Sequence, residues 1–124
     1  MRPPDLELEL GGAAHPSRSA RKEVRRFLAT RAIGLVEDAG VAVTEVVRAA
    51  RNSSGLLRLR AWFDQPTNAL RVEVVDGGGE IETSGLAVLT TLSTNWGAEP
   101  HADGAAVWFE MQPREIHDRR GGSG

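Results

Sequence analysis

Leu70-Arg71-Val72-Glu73-Val74-Val75-Asp76-Gly77-Gly78-Gly79 decides how this chain is read. Apolar residues at 70, 72 and 74 alternate with charged ones at 71 and 73, the period-two pattern of a strand with one buried and one wet face. The three glycines after Asp76 stop it, because each loses the most backbone freedom on ordering and a run of them makes a loop. Just upstream, Leu57 to Phe63 alternates in the same way. The two runs are joined by Asp64-Gln65-Pro66-Thr67-Asn68, whose turn formers predict an antiparallel hairpin. Arg58 and Arg60 then face the same side as Trp62, with Arg71 and Glu73 as partners on the neighbouring strand.

Further out the period changes to that of helices. From about Glu37 to Arg51 the stripe Ala39, Val43, Val46, Val47 and Ala50 predicts a helix, with Glu37 and Asp38 suited to its positive N-terminal end and Asn52-Ser53-Ser54-Gly55 closing it. Ala20, Val24, Phe27, Leu28 and Ile33 predict another from Ser17 to about Ala32, ended by Gly34. Leu6-Glu7-Leu8-Glu9-Leu10 alternates and is stopped by Gly11-Gly12, as an edge strand would be. On the C-terminal side, Leu86, Leu89 and Leu92 place a helix over Gly85 to Asn95, and Ala105 to Met111 is a last strand with Val107, Phe109 and Met111 facing one way. Residues 113–124 are a charged tail ending in Gly-Gly-Ser-Gly, with no core-forming pattern, so the domain is expected within residues 1–112. The order strand, helix, helix, strand, strand, helix, strand implies a two-layer α/β sandwich: a mixed, mostly antiparallel sheet with helices on one face.

Composition bounds the function. The chain has 124 residues, 40% apolar and 26% charged, the profile of one globular core able to stand without staples. There is no cysteine, which excludes disulfides, thiolate metal ligands and cysteine nucleophiles, and the three histidines, His15, His101 and His117, lack a metal-binding spacing. A net charge of −2 gives no reason to seek nucleic acid or an anionic membrane. The segment Arg18 to Arg31 carries six basic residues against one acidic, a local +5 that leaves −7 elsewhere; it reads as a solvated helix face ahead of a binding patch. No apolar run is long enough for a signal peptide or a membrane span, so a cytoplasmic location is expected.

Three places offer chemistry. Glu45 sits beside the apolar stripe of its helix; it reads first as an ordinary helix glutamate and second as a partly desolvated general base. Asp76, between the strand and the glycines, reads equally as a turn-initiating aspartate and as an acceptor for an exocyclic amine such as that of adenine, with Gly78 and its neighbours letting a ring approach the backbone. Gly85-Leu86 opens a predicted helix whose free N–H groups suit phosphate, while Thr83 and Ser84 read more simply as N-caps. The P-loop and dinucleotide fingerprints are absent, as is a nucleophile elbow. Trp62, Trp96 and Trp108 read as core or edge packing.

Val43-Thr44-Glu45-Val46-Val47, the 70–79 stretch, Ser84-Gly85-Leu86-Ala87-Val88-Leu89, Asn95-Trp96-Gly97 and Val107-Trp108-Phe109-Glu110 occur in an order that resembles the anti-sigma-factor serine kinases of the gyrase and histidine-kinase ATPase superfamily. The resemblance covers most of residues 14–112 and implies a Bergerat-type ATPase fold. It places the family's catalytic base on Glu45, its adenine-binding aspartate on Asp76 and its first loop glycine on Gly78. It also shows departures. The magnesium-binding asparagine one turn after the base falls on Ala49, the second loop glycine on Glu80, whose charge opposes phosphate, and the adenine-binding threonine of the last strand on Ala106. Of the next glycine box, Thr83-Ser84-Gly85-Leu86, one glycine survives. Only eight residues lie between Asp76 and Gly85, too few for a lid that closes over a triphosphate.

The first expectation is therefore a regulatory binding domain with a vestigial nucleotide site (Glu45, Asp76, Gly78, Gly85, Leu86) and no cofactor. Its implied partners are a sigma factor or an anti-sigma-factor antagonist, with a homodimer as a further possibility and no nucleic-acid or membrane partner. The rival is an ATP- and magnesium-dependent serine/threonine kinase in which Glu45 activates the substrate hydroxyl and Asp76 anchors adenine.

Overall fold

The computed structural model describes residues 4–50, 56–65, 67–78, 81–102 and 104–113. Their order is β1 (Leu6–Glu9), α1 (Pro16–Ala29), a 3-10 turn (Ile33–Leu35), α2 (Val36–Ala49), β2 (Leu57–Asp64), β3 (Ala69–Asp76), α3 (Val88–Leu92), β4 (Asn95–His101) and β5 (Gly104–Met111). The strands form one five-stranded sheet in the order β1-β2-β3-β5-β4. Every ladder is antiparallel, so the sheet expected to be mixed contains no parallel pair among the described residues.

Alternation sends one set of side chains from each strand toward the helices. Leu57, Leu59 and Ala61 of β2, Leu70, Val72 and Val74 of β3, and Val107, Phe109 and Met111 of β5 join Ala20, Val24, Phe27 and Leu28 of α1 and Ala39, Val43, Val46 and Val47 of α2 in one buried cluster. That cluster makes the two layers. The opposite face is solvated and tied by cross-strand pairs: Arg58 to Glu9 at 2.8 Å, Arg60 to Glu7 at 3.5 Å and Arg71 to Glu110 at 2.8 Å. Arg58 and Arg60 thus pair with the acidic edge strand β1, although Glu73 stands directly opposite Arg60 in the β2–β3 register. The Arg71 guanidinium also lies 4.2 Å from the centre of the Trp108 ring, a cation–π contact. That indole rests on Gly97 of β4, where a Cβ would come within 2.8 Å of it.

Four expectations are corrected. α1 stops at Ala29, not near Ala32, and the Arg31 side chain donates to the Phe27 carbonyl at its end. Ile33, assigned to its apolar stripe, is 65% exposed in the 3-10 turn, where the chain reverses into α2. The helix expected over Gly85 to Asn95 is only Val88–Leu92, preceded by turns. Asn95–His101, expected to lie outside any element beyond Asn95, is the edge strand β4. Its Glu99 and Pro100 suit an edge, because a charge and a missing N–H both discourage further pairing, while the apolar β5 takes the inner place between β3 and β4. α2 runs Val36–Ala49, and the closing segment Asn52-Ser53-Ser54-Gly55 lies outside the described residues, as do Pro66 of the hairpin turn and residues 114–124 of the expected tail.

Leu59 is fully buried; Leu59→Ala is expected to lower stability by about 2–5 kcal/mol, against about 0.5 kcal/mol or less for Ile33→Ala, in urea unfolding. Gly104, at φ +143, opens β5, and a Cβ there would run into the Asp76 carbonyl oxygen. Since backbone must move on both sides, Gly104→Ala is expected to lower stability by about 2 kcal/mol or more, read as a drop in melting temperature.

Candidate functional site

Asp76 ends β3 on the core face, opposite Leu57 of β2 and Ala105 of β5. It is 0% exposed, the only buried charged or polar side chain among the described residues. Its two oxygens differ. Oδ1 accepts the Gly78 N–H at 2.8 Å, the self-closing turn that a turn-initiating aspartate makes. Oδ2 is buried with no hydrogen-bond partner among the described residues. Leaving such an acceptor unsatisfied costs about 1–3 kcal/mol, and neither the Leu57 nor the Ala105 side chain can donate to it.

The C-terminal half of α2 forms the neighbouring wall. Glu45 lies at the edge of the buried stripe, with 34% of its side chain exposed and Arg48 at 3.5 Å. Ala49 is one turn further along, on the same side of the helix by the i, i+4 rule. Its carbonyl already accepts the Glu82 N–H at 3.0 Å, and its methyl group has no oxygen. The residues present do not fit a magnesium ion at this turn. Among the described residues no group of three or more His, Cys, Asp or Glu could hold a metal.

The segment after Asp76 is tied at both ends, by the Gly77 N–H to the Leu56 carbonyl at 2.7 Å and by the bond from Glu82 to α2. Gly78 is exposed, while Gly79 and Glu80 lie outside the described residues. Ile81 packs against the core and Leu86 belongs to it, at 1% exposed. Thr83, Ser84 and Gly85 are exposed, and the Ser84 N–H bonds the Glu82 carboxylate at 3.0 Å. No helix starts at Gly85. α3 has five residues and Ala87 at its N-cap, with no side-chain cap from Thr83 or Ser84, so the expected phosphate-binding helix end is not at Gly85-Leu86.

Asp76 and Gly78 are therefore brought into direct contact, and Glu45 stands one turn from the point where the loop touches α2. Ala106 is opposite Val75 and shares its side of the sheet, facing away from the helices; the position beside Asp76 is Ala105. Sequence reasoning missed Leu57 and Ala105, although counting back from the Asp64–Asn68 turn aligns Leu57 with Asp76. The bond between Glu82 and Ala49 left no mark in the sequence.

Among solved structures, the chain is similar to the RsbU and RsbW domains of Rv1364c from Mycobacterium tuberculosis, with a TM-score of 0.70 over 90% of its length and 19% sequence identity. The fold is the ATPase-like sandwich. The chain spans about a third of that longer protein, 32% of its length. No protein-family model matches the sequence, and no curated protein matches it. No described helix is long and apolar enough to cross a membrane.

Because the Glu45–Arg48 pair is partly exposed on one helix face, Glu45→Ala is expected to change unfolding free energy by less than about 1 kcal/mol. Circular dichroism during denaturant titration checks this, and it licenses use of the variant in functional assays.

Proposed function

We propose that this chain is a regulatory domain of anti-sigma-factor type that acts by holding a sigma factor or an anti-sigma-factor antagonist, without transferring phosphate. The observation that carries the reading is the α2 turn at Ala49, which has no side-chain oxygen and whose carbonyl is occupied by the Glu82 N–H. A kinase of this fold needs a metal there to bridge phosphate oxygens and neutralise their charge. The short α3 and the packing of Leu86 into the core add to it, since neither leaves a helix N-terminus facing a triphosphate. Support for the partner class comes from the sequence resemblance and from the RsbW domain in the structural neighbour, RsbW being an anti-sigma-factor serine kinase. A homodimer and a cytoplasmic location belong to the same reading.

A second reading is favoured by one observation, the Oδ2 of Asp76, which has no hydrogen-bond partner among the described residues. On that reading the chain is an active serine/threonine kinase with Glu45 as base.

Mixing the chain with a co-encoded sigma factor or antagonist, without nucleotide, is expected to give a stoichiometric complex in size-exclusion chromatography with light scattering. Added γ-labelled ATP and magnesium are expected to label neither protein, and Glu45→Ala is expected to leave the complex unchanged. A labelled partner whose label disappears in Glu45→Ala establishes the kinase instead.

A further inference from the structure

A cleft lies where β1 and α2 end and α1 and β2 begin. It is half-open, with a volume of about 320 Å³, and none of Glu45, Asp76, Gly78, Gly85 and Leu86 lines it. Its walls are Leu10, just past β1, Val47 of α2 and Leu57 at the start of β2, each at most 3% exposed. Gly11, Ser17 and Ala50, at the ends of β1, α1 and α2, are too short to fill the gap between those ends. A well-packed interior leaves few voids of that size. Among the described residues that line it, Arg48 alone is charged. We infer that this cleft binds a small organic carboxylate with an apolar body, its ring or branched chain against Leu10, Val47 and Leu57 and its carboxylate on Arg48. The inference goes beyond the proposed function and is independent of it, because it uses no residue on which that reading stands.

Three features select the ligand class. Size comes first: the volume is at the low end of the range for ligand pockets, about 300–1,000 Å³, which suits one ring or branched chain and not a nucleotide. The walls come second. Apolar cavities take up apolar guests, and a polar body would lose its water here without gaining partners. Charge comes third. No carboxylate lines the cleft, the first turn of α1 carries no acidic residue, and the segment Arg18 to Arg31 beyond it has a local +5. A cation is therefore repelled and an anion is not. The Arg48 guanidinium is a planar fork that matches the two oxygens of a carboxylate, whereas a phosphate dianion brings more charge to desolvate against the same apolar wall. Glu45 is a weak competitor for Arg48. The two stand 3.5 Å apart with 65% of the Arg48 side chain and 34% of the Glu45 side chain exposed, a pair of little strength that a ligand can replace.

The test is calorimetric titration of the full chain with phenylacetate, phenylethanol, phenethylamine and acetate, with the backbone amide signals followed in parallel by NMR. Phenylacetate is expected to bind saturably below about 10 mM, and about fivefold or more tighter than the alcohol or the amine, because it alone combines the ring with a negative head. Acetate, which has the head without the ring, is expected not to saturate in that range. The amides that move with phenylacetate are expected to be those of Gly11, Ser17 and Arg48. Arg48→Gln changes an exposed side chain, so the fold is kept, and phenylacetate is expected to fall to the affinity of phenylethanol. Equal or tighter binding of the alcohol or the amine, shifts centred elsewhere, an unchanged affinity in Arg48→Gln, or no saturable binding of phenylacetate each overturns the inference. So does acetate binding as tightly as phenylacetate, which marks an adventitious ion only. Movement of the same three amides on adding the partner protein, with no probe bound, assigns the cleft to that partner; it overturns this inference and leaves the proposed function in place.

Discussion

The structure depends on the seam between α2 and the central strands. Ala39, Ala42, Val43, Val46, Val47 and Ala50 of the helix segment are all small or β-branched, and all are buried in the cluster that contains Leu70, Val72 and Val74 of β3. Side chains of that size bring a helix close to a sheet and leave few rotamers to lose on packing. With α1 packed beside α2, one face of the sheet is used up. The other buries the apolar pair Val75 and Ala106 and is otherwise held by ion pairs and by the stacking of Arg71 on Trp108. Partly exposed pairs of this kind add little stability individually, so their main effect is to keep the open face wet and in register.

The same seam makes the candidate site. It sets the C-terminal turn of α2 near the end of β3, and the chain between β3 and α3 bridges them through the bond from Glu82 to Ala49. Asp76 is buried because both its neighbours in the sheet, Leu57 and Ala105, are paired with it on the covered face. A carboxylate in that position is expensive unless its oxygens find donors. One finds the Gly78 N–H; the other has no hydrogen-bond partner among the described residues.

Much of the architecture was legible in the sequence because the signals were local. The alternation at 70–76, the hairpin turn at 64–68 and the stripe of α2 each specify an element through a few residues in succession, and all three were found close to where they were expected. β4 was not legible. Asn95, Gly97, Glu99 and Pro100 carry no strand propensity, and the segment is a strand because β5 offers it an open edge. The helix read at Gly85 failed for the converse reason. Leu86, Leu89 and Leu92 have helical spacing, yet Leu86 is drawn into the core by a turn before α3 begins. Of the site, Asp76 and Gly78 were readable as a pair because their contact is two residues long, whereas the placing of Ala105 beside Asp76, with Ala106 on the other face, depends on the β3–β5 register.

By itself the sequence determined the class of elements, the faces they bury and the absence of thiol chemistry. Those are properties of residue type and short spacing. Only the tertiary structure decided that β5 lies inside β4, that Glu82 reaches back to the end of α2, and that one oxygen of Asp76 is buried without a donor among the described residues. Each of these depends on groups far apart along the chain, whose meeting is set by how the layers pack rather than by any local preference.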